Sequence, residues 1–331
     1  MNYIDLHCDT IMQLMQQENL ALKNAPTQVN LEKLILGESL LQCFAMFVNL
    51  KQVENPFEYG MEMIDCYYKE LEKNQDLIAP VFKYSDIEKN QKENKISALL
   101  TIEEGAVTKG NLSHLRNLYR LGVRMICLNW NYENGIGHPN FILTEGKKPD
   151  FQTPNTKNGL TESGLNLIKE MNRLGMIIDV SHLSDKGFYD CIANSNKPIV
   201  ASHSNARAIC NHVRNLTDDM IFQLHKNGGV MGINFCAAFL NDDEEIGKQT
   251  IKCAIEHMQY IKNLVGVDVI SIGSDFDGIN PDIELKDAAG MQKLFEEMRE
   301  ANFTEEEIKK IAFKNFLRVL KANLNESFIL S

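Results

Sequence analysis

Two short runs of the sequence end in the same dipeptide, Ser-His, and each has the composition of a buried strand. They are Ile177-Ile-Asp-Val-Ser-His182 and Ile199-Val-Ala-Ser-His203. Apolar, β-branched runs predict strands buried on both faces, as in parallel sheets covered by helices. In a barrel of parallel strands, the active site is built at the carboxyl ends. One histidine at such a place is usually a core residue, but the repetition predicts a pair of metal ligands.

A histidine and a carboxylate also lie close together near the start of the chain. Side chains alternate along a strand, so His7 and Asp9 are expected to share one face with Asp5, while Ile4 and Leu6 share the other. If the apolar face packs under helices, His7 and Asp9 point into the mouth of a barrel. An imidazole and a carboxylate at this spacing suit one metal ion.

Two more carboxylates end predicted strands, Glu103 after an apolar run and Asp275 after a run with Ser271 and Gly273 on its inner face. Three histidines and three carboxylates at one barrel mouth would repel one another's charges unless cations were present. Two divalent ions bridged by a carboxylate solve that problem, and nitrogen with oxygen ligands suits zinc. Such a pair acidifies a shared water and polarises a carbonyl, as in two-metal hydrolysis.

Eight predicted strands, joined mostly by helical connections, must position these residues. The predicted strands lie within 3–9, 40–48, 97–105, 123–128, 177–182, 199–203, 228–234 and 266–278. This count predicts an α/β fold of the (β/α)8 TIM-barrel type, in one domain spanning residues 1–331. A long polar stretch follows the fourth strand to about Gly159, and so much loop indicates a site wall or lid. Trp130, at its root, is either a substrate wall or a packed anchor.

Composition narrows the class of protein further. The 331 residues are 44% hydrophobic and 24% charged, as in ordinary globular proteins, and the net charge of −11 argues against a nucleic-acid surface. The eight cysteines form no close-spaced pair, which indicates reduced thiols. The N-terminus does not have the pattern of a signal peptide, and no run is long enough to span a bilayer. We expect a cytoplasmic protein with no membrane or nucleic-acid partner.

Several motifs along nearly the whole chain together resemble the membrane dipeptidase family (renal dipeptidase, peptidase M19) of the amidohydrolase superfamily. Each is weak alone, but their order and spacing are specific. The matching pieces are Asp5-Leu-His-Cys-Asp9, Ile102-Glu-Glu-Gly105, Asp179-Val-Ser-His182, Ser202-His-Ser-Asn-Ala-Arg207, Arg214-Asn215 and Gly273-Ser-Asp-Phe-Asp-Gly278.

The resemblance implies a zinc-dependent dipeptidase with two Zn²⁺ per chain. By it, His7 and Asp9 hold one zinc, His182 and His203 hold the other, and Glu103 bridges them. Glu103 is preferred to Glu104 because the family's bridging acid directly follows the strand's last apolar residue.

The resemblance also implies two roles at the substrate. Asp275 is expected to be the acid/base, and Arg214 to clamp the free carboxylate of a small dipeptide, L,D-dipeptides included. An arginine suits that task because its planar fork pairs a carboxylate with two hydrogen bonds.

One position departs from the family pattern. Better-known animal members carry a histidine after the fourth strand, where it is thought to help hold the substrate carbonyl, and Trp130 stands there in this chain. An indole offers one N–H donor and a large apolar face. We therefore expect Trp130 to contact substrate in a different way.

Two other functions stay open. One is another metal-dependent amidohydrolase acting on a small amide, although those enzymes typically carry His-x-His on the first strand. The other is a non-catalytic barrel that binds a ligand, although such a protein would be expected to have lost a ligand or Asp275. The sequence leaves the oligomeric state open, with a homodimer as one candidate.

Overall fold

The computed structural model of the protein describes residues 1–17, 19–141 and 150–326. Its centre is a single sheet of nine strands in which every pairing is parallel. The strands are β1 Tyr3–Asp5, β2 Ser39–Phe47, β3 Ile78–Pro80, β4 Ile96–Glu103, β5 Val123–Cys127, β6 Ile177–Asp179, β7 Val200–Ala201, β8 Val230–Ile233 and β9 Ile270–Ile272. Pairing of β2 with both β1 and β4 closes eight of them into a barrel, and β3 attaches to β4 alone. The predicted (β/α)8 barrel is therefore confirmed.

Helices connect the strands and surround the barrel. They are α1 Thr10–Gln16, α2 Leu31–Leu36, α3 Pro56–Lys73, α4 Tyr84–Lys92, α5 Leu112–Arg120, α6 Glu162–Leu174, α7 Asp185–Asn194, α8 Asp218–Asn227, α9 Ala237–Leu240, α10 Glu244–Gly247, α11 Thr250–Val265, α12 Met291–Glu300, α13 Glu305–Lys309 and α14 Asn315–Asn323. A π-helical segment, Lys310–Lys314, joins α13 to α14. None of the described helices is both long and apolar enough to cross a bilayer.

The helices begin and end where the local chemistry requires. For example, the Thr161 side chain accepts a hydrogen bond from the main chain of Gly164 and caps α6, and Gly175 ends that helix in the left-handed region. Strand β3 was not predicted, because it has only three residues and contains a proline.

Two clusters of apolar side chains lie on opposite faces of the barrel strands. The larger cluster lies between strands and helices and includes Ile270 and Ile272 of β9. The smaller cluster lies inside the barrel and includes Leu99 of β4 and Met125 of β5. Since Leu99 and Glu103 are four residues apart on one strand, they point to the same side, so the inner face leads to Glu103.

The predicted alternation at the first strand is wrong. Ile4 and Leu6 pack in the inner cluster, and Asp5 therefore points to the opposite side, away from the mouth. An irregularity in the pairing of β1 with β2 between Tyr3 and Ile4 shifts the register there. His7 and Asp9 still reach the mouth, because the strand ends at Asp5 and the chain then takes a non-strand course.

Small residues allow three barrel strands to approach closely just below the mouth. A Cβ atom added to Gly273 would lie 1.8 Å from the carbonyl oxygen of Ser202, and one added to Gly232 would lie 2.1 Å from the same oxygen. For each glycine, the three atoms nearest to the added Cβ belong to the main chain, so no side-chain rotation can relieve the overlap. The two glycines are therefore required for the close spacing of β7, β8 and β9 at their carboxyl ends.

We predict that Gly273→Ala lowers the free energy of unfolding by at least about 1–3 kcal/mol, the usual cost of overpacking a core. Urea unfolding of the variant and the native protein measures this directly. Ser271→Ala on the same strand is a matched control, since the Ser271 hydroxyl is buried without a partner among the described residues and its loss should be neutral or stabilising. Equal stability of Gly273→Ala and the native protein would contradict the close approach.

Candidate metal centre

Six side chains with metal-binding chemistry lie together at the carboxyl end of the barrel, and all are buried. Glu103 is the last residue of β4, and the others follow the ends of β1, β6, β7 and β9. The structure thus brings together every residue that the sequence analysis placed at the metals, together with Asp275. The six are His7, Asp9, Glu103, His182, His203 and Asp275.

The carboxylate of Glu103 lies between imidazoles that come from different strands. Its Oε2 is 3.3 Å from Nε2 of His7, whereas its Oε1 is 3.0 Å from Nε2 of His182 and 3.4 Å from Nε2 of His203. The Nε2 atoms of His182 and His203 are themselves 3.0 Å apart. The two oxygens of Glu103 therefore face two different sets of nitrogen ligands.

His7 also lies beside two carboxylates. Its Nε2 is 3.5 Å from Oδ2 of Asp9 and 3.9 Å from Oδ1 of Asp275. The main-chain N–H of Asp275 donates to the carbonyl of His7 at 3.2 Å, so the chains that follow β1 and β9 remain joined beyond the regular strands. Asp275 itself has φ of +62°, a left-handed conformation that costs a non-glycine residue energy and that often occurs at functional sites.

Burial and mutual charge shift the pKa values of these groups strongly. Burial raises the pKa of Glu103 to about 7 and that of Asp275 to about 6, in each case against the attraction of the His7 imidazole. Burial alone would lower the pKa of His7, but Glu103 and Asp9 outweigh it and raise that pKa well above its usual value. Without cations, the carboxylates therefore hold a proton on His7.

The other two imidazoles are kept neutral. Burial lowers the pKa of His182 well below its usual value, and the nearby charge of Arg214 lowers it further. Burial and then the charge of His7 do the same for His203. Since the neutral imidazole is the form that binds a metal, both are in a state ready to do so.

The donor set fits metal ions of the zinc type. Nε2 of His7 and Oδ1 of Asp9 are buried and have no hydrogen-bond partner among the described residues. One donor atom each from His7, Glu103 and His203 lie within 4.8 Å of one another, and so do those from His7, Asp9 and Asp275. Mixed nitrogen and oxygen donors at this spacing are what zinc prefers.

Three hydrogen bonds that the sequence analysis missed hold the site residues in place. The Nδ1 atom of His182 lies 2.9 Å from Oδ1 of Asn131. The amide of Asn234, after β8, donates to Oδ2 of Asp275 at 2.8 Å, which leaves Oδ1 directed toward His7. Nδ1 of His203 lies 2.7 Å from the hydroxyl of Ser202.

Glu104 is buried but does not belong to the centre. Its carboxylate accepts hydrogen bonds from the main-chain N–H groups of Trp130, at 3.1 Å, and Ala106, at 2.7 Å, and from the amide of Asn134. Its φ of +135° turns the chain so that the side chain leaves the side on which Glu103 lies. Glu104 therefore holds the loop after β5, and Glu103 alone faces the histidines.

Arg214 lies beside the histidines, in the segment between β7 and α8. Its Nη1 donates to the carbonyl of Ser181, and its Nη2 lies 2.9 Å from Nε2 of His182 and 3.3 Å from the carbonyl oxygen of His203. Its Nε has no partner among the described residues. The guanidinium also lies over the ring of Phe239, with 5.4 Å to the ring centroid.

Two neighbouring cavities open over the centre. The first, of about 320 Å³, is lined by four of the six residues, namely Asp9, Glu103, His182 and Asp275. Trp130 lies on its wall, half-buried, with its ring centroid 4.8 Å from that of Phe47 and 6.1 Å from that of His182. The second cavity, of about 520 Å³, is lined by Arg214 and shares His182 and Phe239 with the first. Together they offer space for a small ligand on both sides of His182.

Comparison with known proteins places this architecture in a family. The family model described as membrane dipeptidase (peptidase family M19) matches residues 1–328. The chain is 37% identical over 238 residues to a Klebsiella pneumoniae protein described as uncharacterized and encoded in the pqqA 5′ region, a match covering 72% of this chain and 86% of that protein. It is 29% identical over 310 residues to the dipeptidase tcpJ of Claviceps purpurea, covering 90% of this chain and 70% of that one.

Solved structures show the same fold. A metallopeptidase from Rhodobacter sphaeroides, liganded with a phosphinate mimic of the dipeptide L-Ala-D-Ala, superposes with a TM-score of 0.89 at 24% identity, covering 98% of this chain and 99% of that one. A second metallopeptidase of family M19, dipeptidase AC, superposes with a TM-score of 0.88 at 25% identity and the same coverage. The chain therefore belongs to the membrane dipeptidase family, peptidase family M19, and is a metal-dependent enzyme that hydrolyses peptide bonds.

Proposed function

We propose that this protein is a binuclear zinc dipeptidase, acting as one domain, that cleaves the single peptide bond of L,L- and L,D-dipeptides. The observation that carries the proposal is the position of Glu103. Its Oε2 faces His7 at 3.3 Å, while its Oε1 faces His182 at 3.0 Å, so one carboxylate can serve two cations.

His7 and Asp9 would hold one zinc ion, and His182 and His203 the other, with Glu103 shared between them. When bound, the two ions would polarise the scissile carbonyl and acidify water. They would also neutralise the buried carboxylates, whose mutual repulsion is otherwise relieved in part by the proton on His7. The neutral states of His182 and His203 support this assignment, since no proton must leave them before a cation binds.

Asp275 is the residue proposed to move protons. Asn234 holds its Oδ2 at 2.8 Å, so Oδ1 is the oxygen left to face His7 and the cavity. From there it can take a proton from the attacking water and give it to the leaving amine. The left-handed backbone of Asp275 supports this role, because strain of that kind is retained where a side chain needs an unusual direction.

Arg214 is proposed to bind the free carboxylate of the substrate. Its guanidinium is buried beside His182 and lines the second cavity. A cation at a fixed distance from the metal centre selects substrates by length. The terminal carboxylate reaches Arg214 only when the scissile carbonyl belongs to the next-to-last residue. This would restrict the enzyme to dipeptides.

Trp130 is proposed to form an apolar wall for the substrate. Its indole lies in the first cavity against Phe47, and its main-chain N–H is already donated to Glu104. Because a structural neighbour binds a mimic of L-Ala-D-Ala, the substrate screen should include L,D- as well as L,L-dipeptides with small and large apolar side chains.

The purified protein should hold about two zinc ions per chain when fully loaded, and chelation should abolish dipeptide hydrolysis. Elemental analysis and an assay before and after dialysis against a chelator test this, and re-addition of zinc should restore the rate. Full activity of a rigorously metal-free preparation would rule the proposal out.

Glu103→Gln and Glu104→Gln form a matched pair for the same test. Glu103→Gln should lose zinc while the free energy of unfolding of the metal-free protein stays near its native value, since no main-chain N–H among the described residues donates to the Glu103 side chain. Glu104→Gln should keep its zinc but lose about 1–3 kcal/mol of stability, because an amide N–H then faces a main-chain donor. The reverse pattern would show that the bridging acid was assigned to the wrong residue.

Asp275→Asn should keep its zinc and lose about 10²–10⁴ in turnover, the usual contribution of general acid–base catalysis. Zinc content and kcat are measured on the same sample, so that loss of metal is not mistaken for loss of the proton carrier. A variant that hydrolyses dipeptides at the native rate would show that another group moves the proton.

Arg214→Ala should erase most of the preference for a dipeptide over its C-terminal amide. A charge-assisted contact contributes about 1.5–3 kcal/mol, which corresponds to about one to two powers of ten in kcat/KM. Arg214→Lys should recover only part of it, because a point charge cannot make the two-pronged contact.

Arg207→Lys is the control for Arg214. Arg207 lies in the same segment but pairs with the carboxylate of Asp185, with both contacts at 2.8 Å, and does not line either cavity. In Arg207→Lys, the ratio of kcat/KM for a dipeptide to kcat/KM for its C-terminal amide should equal that of the native enzyme. If Arg214→Ala retained the native ratio as well, the terminal carboxylate would bind elsewhere.

A further inference from the structure

A buried carboxylate lies directly behind the two histidines that are proposed to share one metal. Asp179, the last residue of β6, is 2% exposed, and no lysine or arginine lies within ion-pair distance of it in the described part of the chain. Instead it receives four hydrogen bonds from two serines. Ser181 donates through its main chain at 3.0 Å and its hydroxyl at 2.8 Å, and Ser202 does so at 3.0 Å and 2.5 Å.

These bonds determine where the protons on the neighbouring groups must be. A carboxylate that receives four donors only accepts, so the single hydroxyl proton of Ser202 is directed at Asp179. The Ser202 oxygen can then only accept in its 2.7 Å contact with Nδ1 of His203. His203 must therefore carry its proton on Nδ1, which leaves the lone pair of Nε2 directed toward Glu103 and His182.

We propose that Asp179 and Ser202 form a positioning pair that fixes the Nδ1–H tautomer of His203 and thereby sets the metal affinity of the His182–His203 site. The metal part of this inference rests on the proposed function, whereas the tautomer part does not. Neither residue touches the substrate space, so both act through His203. Partners of this kind raise the basicity of a ligand and fix its ring orientation.

The partner of His182 is of a different kind. Its Nδ1 lies 2.9 Å from the amide oxygen of Asn131, a neutral acceptor on the loop after β5. In contrast, the Ser202 hydroxyl links Nδ1 of His203 to the Asp179 carboxylate, a charged group whose hydrogen bonds connect β6 with β7. The negative charge stabilises the Nδ1–H of His203 more strongly than a neutral amide can, so His203 is the better anchored of the two ligands.

The repeated Ser-His run supplies a matched control. The hydroxyl of Ser181 donates to the same carboxylate, but its other protein contacts are the main-chain N–H of His203, at 3.1 Å, and the Ser202 hydroxyl, at 3.0 Å. It does not contact an imidazole nitrogen. Ser181→Ala therefore removes an equivalent hydrogen bond to Asp179 without altering the acceptor of the His203 ring proton.

The first measurement follows zinc release from the loaded full-length protein as a competing chelator is added. Ser202→Ala should lower the affinity for one of the two zinc ions by about 10–100-fold and leave the affinity for the other near its native value. Ser181→Ala should leave both near their native affinities. Asp179→Asn should resemble Ser202→Ala, because an amide N–H directed at Ser202 would turn its hydroxyl proton toward His203.

The second measurement reads the tautomer itself, by ¹⁵N NMR of the histidine side chains in the metal-free full-length protein. The His203 signal is identified by its absence in His203→Gln. The native protein and Ser181→Ala should show the Nδ1–H form, and Ser202→Ala and Asp179→Asn should show a substantial Nε2–H population. If Ser202→Ala does not fold, Ser202→Cys takes its place, since a thiol of similar size is a weak acceptor.

The outcomes separate the two proposals. A native protein that binds no zinc overturns the proposed function, and the NMR comparison still decides the role of Asp179 and Ser202. An Nε2–H form of His203 in the native protein, or the same tautomer in native protein and Ser202→Ala, overturns the positioning pair. Equal zinc affinities for Ser202→Ala and Ser181→Ala also overturn it, because a merely structural hydrogen bond would predict equality.

Discussion

Two buried aspartates form hydrogen bonds that connect adjacent strand ends at the mouth of the barrel, where the candidate ligands lie. Asp5, the last residue of β1, accepts hydrogen bonds from the main chain and the hydroxyl of Ser274, at 2.8 Å and 2.6 Å. Asp179, the last residue of β6, does the same with Ser202, at 3.0 Å and 2.5 Å. In both cases the serine immediately precedes a site residue. Because a buried carboxylate without donors is very costly, each bond holds adjacent strand ends at a fixed spacing.

This rigidity allows the centre to contain groups that would otherwise separate. Glu103, Asp9 and Asp275 lie close to one imidazole, and burial raises the pKa values of Glu103 and Asp275. A flexible loop would relieve the repulsion by moving outward. The carboxylate–serine bonds oppose such movement at the ends of β1, β6, β7 and β9, and Gly232 and Gly273 lie close to the carbonyl oxygen of Ser202. The candidate ligands therefore stay close together, and bound cations would lower their mutual repulsion.

The sequence was sufficient to predict the barrel and the grouping of six polar side chains at its mouth, because buried strands and their polar ends have a strong pattern. It was insufficient where a residue's role depends on a partner far along the chain. Asn234 supports Asp275 across 41 positions, and no local pattern indicates that contact. Asp179 had a signal, an acid inside an apolar run, but its four donors appear only once β6 and β7 are paired. The face of Asp5 was wrong because β1 ends at Asp5, so His7 and Asp9 reach the mouth without sharing a strand face with it.

The candidate metal ligands and two of the aromatic residues that line the cavities come from different parts of the fold. The ligands follow strands whose spacing is fixed by main-chain packing and buried hydrogen bonds, so few changes are tolerated there. Trp130 and Phe239 lie on connecting segments, where a side chain can change without moving a strand. Glu104 meanwhile holds the Trp130 main chain in place. The barrel thus positions the candidate ligands, and the connecting segments above it line the two cavities.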